Sequence, residues 1–288
     1  MTEKKKGIAF IILSAFCFAL MNAFVRLAGD IPTIQKSFFR NFIAFIFAGM
    51  VLMGSGNGIH YKKEDLPLLI LRSFMGTVGI LGNFYAVDHL NIADASMLNK
   101  LSPFFAIIFS FIFLREKPRL IQAAGVVIAF IGSLFIIKPT MNLSEFAPAL
   151  AGLAGGMGAG VAYTAVRALG KRGVKGPLIV FFFSGFSCLV TLPYLMFNFH
   201  PMSLVQLIIL LMAGLAASGG QFAITAAYSH APAKEISVFD YTNIVFSAIL
   251  GFFLFDQLPD IYSFIGYIII CGVSVMMFFS DNKAQKMA

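Results

Sequence analysis

The sequence predicts an all-α integral membrane protein whose ten transmembrane helices form two inverted five-helix repeats. Three observations carry that expectation. Of the 288 residues, 59% are hydrophobic and only 12% charged, against about 25% charged in a soluble domain. Apolar runs long enough to cross a hydrocarbon layer of about 30 Å recur along the whole chain. The chain also matches itself at a shift of 141 residues, with five runs on either side.

The runs cover 7–28, 34–54, 67–87, 93–114, 119–138, 149–169, 177–197, 203–228, 234–255 and 260–280. Lys4-Lys5-Lys6 precedes the first, but that run is too long for a secretory signal and shows no small-residue cleavage site, so it is expected to remain as a span. Asp30-Ile31-Pro32 separates it from the second, and Gly54-Ser55-Gly56-Asn57-Gly58 makes the next turn. The third run carries Gly76, Gly79 and Gly82, and the sixth Gly152, Gly155, Gly156, Gly158 and Gly160, small residues that let helices approach closely. In the fourth, Pro103 follows Asn99 and Lys100. It removes a backbone hydrogen bond and is expected to kink the helix where those polar groups project. Lys117-Pro118, Lys138-Pro139, Gly176-Pro177, His200-Pro201, Ala231-Pro232 and Leu258-Pro259 punctuate the rest. Such short loops leave no room for a folded extramembrane domain.

With the N-terminus in the cytoplasm, fourteen Lys and Arg fall on inner segments and only Lys36 and Lys138 on outer ones. Retention of basic residues inside then places both termini in the cytoplasm and the chain in the cytoplasmic (inner) membrane. The formal charge of +8 has the same origin. No basic stripe interleaved with aromatics occurs, which excludes nucleic acid as a partner. Cys17, Cys188 and Cys271 lie within apolar runs without metal-ligand spacing and read as packing residues.

At the 141-residue shift, Val25-Arg26 meets Val166-Arg167, Phe105 meets Phe246, Ile108 meets Ile249, Pro118 meets Pro259, Gly125 meets Gly266 and Ser133 meets Ser274. The repeats are expected at 1–140 and 141–288. Five is odd, so the second copy starts on the opposite side of the membrane and the halves are inverted. Inverted repeats are a design of secondary transporters, which hold substrate near the midplane and rock about it.

A charge within the bilayer costs about 2.5–3.5 kcal/mol on insertion scales, so each one needs a reason. Arg26, Arg72 and Arg167 lie near helix ends and can snorkel or anchor there. Arg40, Lys100 and Asp240 lie deeper and are expected to face a wet cavity or to pair between helices. The repeat sets Asn99 opposite Asp240 and Lys100 opposite Tyr241. Asn22, Asn83, Tyr163, Gln221, Thr225 and Asn243 also need partners inside hydrocarbon. The expected substrate site therefore comprises Asn22, Arg40, Arg72, Asn83, Asn99, Lys100, Tyr163, Gln221, Asp240, Tyr241 and Asn243. Basic residues outnumber acids within the spans, which favours a small polar ligand bearing a carboxylate or phosphate, an amino-acid-like zwitterion or an organic anion. Asp240 is the candidate to carry a coupling proton. A counter-substrate is the other coupling partner the sequence allows, and a homodimer is compatible with it. No cofactor or metal is expected.

A membrane-embedded transferase is the rival reading, and it requires clustered acids, bases or metal ligands. His60, His89, His200 and His230 sit singly, in loops, and neither HExxH nor a nucleophile elbow occurs.

The stretch Ala93-Asp94-Ala95-Ser96-Met97-Leu98-Asn99-Lys100-Leu101-Ser102-Pro103, running on to Phe113-Leu114-Arg115-Glu116-Lys117, and its echo Phe253-Leu254-Phe255-Asp256-Gln257-Leu258-Pro259 resemble the EamA-type branch of the drug/metabolite transporter superfamily. The family usually closes this helix with an acid after a leucine. Glu116 fits, whereas the second copy has Gln257 there and Asp256 one residue earlier. Phe38-Phe39-Arg40 and Leu71-Arg72-Ser73 resemble a subgroup that includes S-adenosylmethionine carriers, which makes S-adenosylmethionine or a nucleotide-like metabolite the alternative cargo. The resemblance implies a central cavity lined by helices 1 to 4 and 6 to 9, with 5 and 10 outside.

Overall fold

The structure is a computed structural model that describes residues 3–54, 61–114, 120–137, 143–230 and 237–286. The regular elements among them are helical: α1 (Glu3–Leu27), α2 (Thr33–Gly54), α3 (Leu66–His89), α4 (Ile92–Asn99), α5 (Ser102–Leu114), α6 (Leu120–Ile137), α7 (Leu143–Lys171), α8 (Gly176–Asn198), α9 (Leu204–His230), α10 (Thr242–Phe255) and α11 (Ile261–Lys286). Short 3₁₀ turns at Lys63–Asp65 and Ser237–Tyr241 lead into α3 and α10. Seven spans, one of them α4 and α5 taken together, are long and apolar enough to cross a membrane, and three shorter apolar helices complete ten.

The burial pattern inverts that of a soluble protein. Arg40 and Lys36 are 1% exposed, while Phe197 is 85% and Met196 72% exposed. Water would reject such a surface, but hydrocarbon accepts it, provided every backbone polar group is satisfied within the helices. The chain thus has the architecture of a multi-pass membrane protein.

The two halves pack as the repeat requires. Pairings between them include α1 with α9, α3 with α7, α2 with α8, α6 with α11, and α4 with α10. Exchanging each helix for its equivalent in the other half turns the α1–α9 contact into α7–α3 and returns α2–α8 and α6–α11 to themselves. That behaviour defines a two-fold relation, and with five crossings per half its axis lies in the membrane plane. Glycines make the α3–α7 crossing close. A Cβ on Gly155 would stand 3.0 Å from Gly79 O, and one on Gly158 only 2.7 Å from Met75 O.

Local structure departs from the sequence expectation at several points. The fourth span is broken rather than kinked: Lys100 and Leu101 leave the helix, and α5 restarts with Pro103 in its first turn. Proline fits there because the amide it lacks would have no helical partner in a first turn. The equivalent ninth span changes from 3₁₀ to α between Tyr241 and Thr242, although Ile244 stands where Pro103 would repeat. Lys36, expected in an outer loop, lies in α2 and pairs with Asp88 at 2.6 Å. Arg26 anchors its helix end by donating to the carbonyls of Val87 and Leu90, which closes the end of α3. His89 is not in a loop; it ends α3 with its ring 2.8 Å from Tyr85 O. His230 likewise ends α9. Ser55-Gly56-Asn57-Gly58 and His60 lie outside the described residues, as do Glu116, Lys117-Pro118, Lys138-Pro139 and Ala231-Pro232.

Candidate functional site

A cavity of about 80 Å³ lies between the halves, at the level of the two helix breaks, walled by residues of α1, α2, α3, α4, α7, α8, α9 and α10. Nine expected residues reach its wall: Asn22, Arg40, Arg72, Asn83, Asn99, Lys100, Tyr163, Gln221 and Asn243. Asp240 and Tyr241 do not; they sit behind Lys100. Its ammonium donates to Asp240 Oδ2 at 2.8 Å, and its backbone carbonyl accepts from the Tyr241 hydroxyl at 3.1 Å. The break between α4 and α5 thus turns Lys100 toward the wall while the 3₁₀ turn of the other half supplies its counter-charge. Thr225 donates to Gln221 O within α9 and lies off the wall.

One side of the cavity is a neutral ladder of amides and hydroxyls. Asn83 donates to Asn22 Oδ1 (3.1 Å), Asn22 to Ser96 Oγ (3.3 Å), and Ser96 shares a 2.8 Å hydrogen bond with Ser247. Asn243 donates to Ala15 O at 2.6 Å. Buried polar groups need such partners, and here helices from both halves provide them.

The other side is cationic. Arg72 stacks on the Phe183 ring, with its guanidinium carbon 3.8 Å from the centroid, and Arg40 approaches the same ring at 5.7 Å. Arg40 also donates to Asn41 Oδ1, and Asn41 is itself fixed by Ser37. Neither arginine has a carboxylate within ion-pair distance among the described residues, and the Nε of each is buried without a partner. Gly76 leaves space for this arrangement, since a Cβ there would collide with the Arg72 guanidinium and come 2.8 Å from Phe183. Sequence reasoning missed Phe183, Ser96, Ser247 and the role of Gly76; only the glycine series of the third run pointed toward the last of these. Among the described residues no group of His, Cys, Asp and Glu is arranged to hold a metal.

Ties between the halves cluster at the two ends of the bundle. At one end, Gln35 exchanges two 2.9 Å hydrogen bonds with the backbone of His200, Gln206 donates to Ala28 O (3.1 Å), and the Ile92 amide donates to Gln257 (3.1 Å). At the opposite end, Arg172 donates to Asp65 Oδ1 at 3.2 Å and to Glu64 O at 3.1 Å. Asp65 and Gln206 are 141 residues apart, so the two ties start from the same repeat position, while their partners Ala28 and Arg172 lie three residues out of register.

The sequence profile of the EamA-like transporter family matches residues 5–138 and again 147–279. The chain is 33% identical to the pseudopaline exporter CntI of Pseudomonas aeruginosa, over 92% of this chain and 93% of that one. It is 24% identical to the S-adenosylmethionine uptake transporter of Rickettsia prowazekii, over 97% and 94% respectively. A human protein, solute carrier family 35 member G1, is 26% identical over 88% of this chain and 73% of its own. One crystal structure, 17% identical, shares the fold with a TM-score of 0.66 over 94% of this chain and 97% of that chain.

Proposed function

Because the chain belongs to the EamA-like transporter family, we propose that it is a secondary active transporter that moves a small polar metabolite, an amino-acid-like zwitterion or an organic anion, by alternating access. One observation carries the substrate class: among the described residues, the cavity between the halves presents Arg40, Arg72 and Lys100 on its wall and no acid. Arginine holds a carboxylate as a fork and lysine holds it as a point charge. Rocking needs contacts that can break at each end in turn, and the Gln206–Ala28 and Arg172–Asp65 ties supply one at each end. The repeats divide at 1–140 and 141–288. The basic residues of the sequence favour the cytoplasmic (inner) membrane with both termini in the cytoplasm.

The relatives named above include an exporter and an uptake protein with different cargoes. The shared fold therefore fixes neither direction nor substrate, and S-adenosylmethionine or a nucleotide-like metabolite is the second reading. Asp240, buried and holding Lys100 by one oxygen while Oδ1 stays unpartnered, is the group we assign to proton coupling. Asp240→Asn is then expected to abolish gradient-driven uptake and to leave exchange of bound substrate; gradient-driven uptake that survives makes Asp240 structural. The assay for the function itself is thermal stabilisation of the purified protein by a metabolite panel, followed by counterflow of the best stabiliser in proteoliposomes. Anionic or zwitterionic compounds are expected to stabilise and to exchange chemically unchanged. Stabilisation by simple cations alone would overturn the anion reading, and chemical conversion would overturn transport.

A further inference from the structure

The cavity's charges do not balance, and the imbalance has a definite size. Lys100 is neutralised by Asp240 at 2.8 Å. Arg40 and Arg72 are 1% and 4% exposed, face the same Phe183 ring and have no carboxylate at ion-pair distance among the described residues. Two guanidiniums are thus withdrawn from water without counter-charge, a state that is costly unless a ligand completes it. The deficit is not spread evenly around each group. Arg40 commits one terminal nitrogen to Asn41, and the Arg72 guanidinium lies over Phe183, yet the Nε of each is buried and unpartnered. Both guanidiniums line the cavity, so each can take its own carboxylate there, and a single ring links the two.

Resting on the anion-transport reading above, we infer that the cavity takes a small molecule bearing two carboxylates, one for Arg40 and one for Arg72. Gly76 is the positioning residue: the absence of a side chain there leaves room for the Arg72 guanidinium over Phe183. A monocarboxylate zwitterion leaves one guanidinium uncompensated. A phosphate monoester brings both charges in one head and leaves one of the two guanidiniums unfilled.

Affinities of the detergent-purified full chain for succinate, glutamate, glutamine and glycerol 3-phosphate, measured by calorimetry, test this. Succinate and glutamate are expected to bind about tenfold or more tighter than glutamine, one additional charge-assisted pair being at stake. Arg72→Gln should collapse that difference, and Gly76→Ala should shrink it by displacing the guanidinium. Since Arg72→Gln also removes an uncompensated charge, the ligand-free variant should melt no lower than the parent protein; a marked fall in Tm would make the guanidinium structural and overturn the assignment. Glutamine or glycerol 3-phosphate binding as tightly as succinate overturns the two-carboxylate inference while leaving anion transport intact. If none of the four binds and only cations do, the anion reading fails with it.

Discussion

Replacing Lys100 with Met tests whether the pair at the helix breaks holds the halves together. Lys100 Nζ and Asp240 Oδ2 are 2.8 Å apart, with side chains 7% and 8% exposed. Lys100→Met leaves a carboxylate buried without its cation, a loss of about 3–5 kcal/mol for interior pairs. At about 2–4 °C per kcal/mol for chains approaching this size, the expected fall in Tm is of the order of 10 °C. Asp240→Leu should cost a similar amount, because it leaves the Lys100 ammonium, 7% exposed, without its counter-charge. The double variant loses both charges and buries no unpaired ion, so it should recover most of the stability. Unfolding of all four proteins in one detergent gives the coupling energy, expected to be about 2 kcal/mol or more and to favour the pair. Single losses that simply add, to within about 0.5 kcal/mol, would show that the two charges do not sense each other and would refute the reasoning.

Gly155→Ala should destabilise by about 1–3 kcal/mol in thermal unfolding, because its methyl would press on the α3 backbone at a close helix crossing. Gly170→Ala, whose Cβ meets nothing within 4 Å, should leave stability equal or raise it by up to about 1 kcal/mol. Gln206→Ala removes a tie between the halves at one end, and Asp65→Ala removes the tie from the same repeat position at the other. Each should raise accessibility to impermeant labels from its own end alone, and an equal rise at both ends would contradict their role as separate latches. Labelling of cysteines placed at positions 2 and 288 should report both termini on the cytoplasmic face.

Much of this architecture is legible in the sequence because hydropathy is a strong, local signal. The ten runs agree with the helices to within a few residues at most ends, and the 141-residue shift brings the two chain breaks into register. The details that depend on distant partners are less visible. Pro103 marks the first break, but nothing marks the second, where 3₁₀ gives way to α at Tyr241 without a proline. Lys36 and Asp88 sit near helix ends and look like loop charges; only packing of α2 against α3 reveals a half-buried pair. Gln35, Gln206 and Gln257 bond to backbone atoms 165, 178 and 165 residues away, and a backbone partner leaves no trace in sequence. The candidate cavity shows the same division. Unpaired arginines can be picked out by composition, whereas the aromatic ring between them and the glycine that admits one of them cannot.

Alternating access through this cavity is tested most directly at Asn99, on the wall beside the first break. In a background with Cys17, Cys188 and Cys271 replaced, Asn99→Cys in sealed vesicles is exposed to an impermeant thiol reagent from one face and then from the other. Labelling from both faces, slowed by a compound that stabilises the protein, is the expected result. Labelling from one face only, however long the exposure, would contradict a cavity that opens to each side in turn.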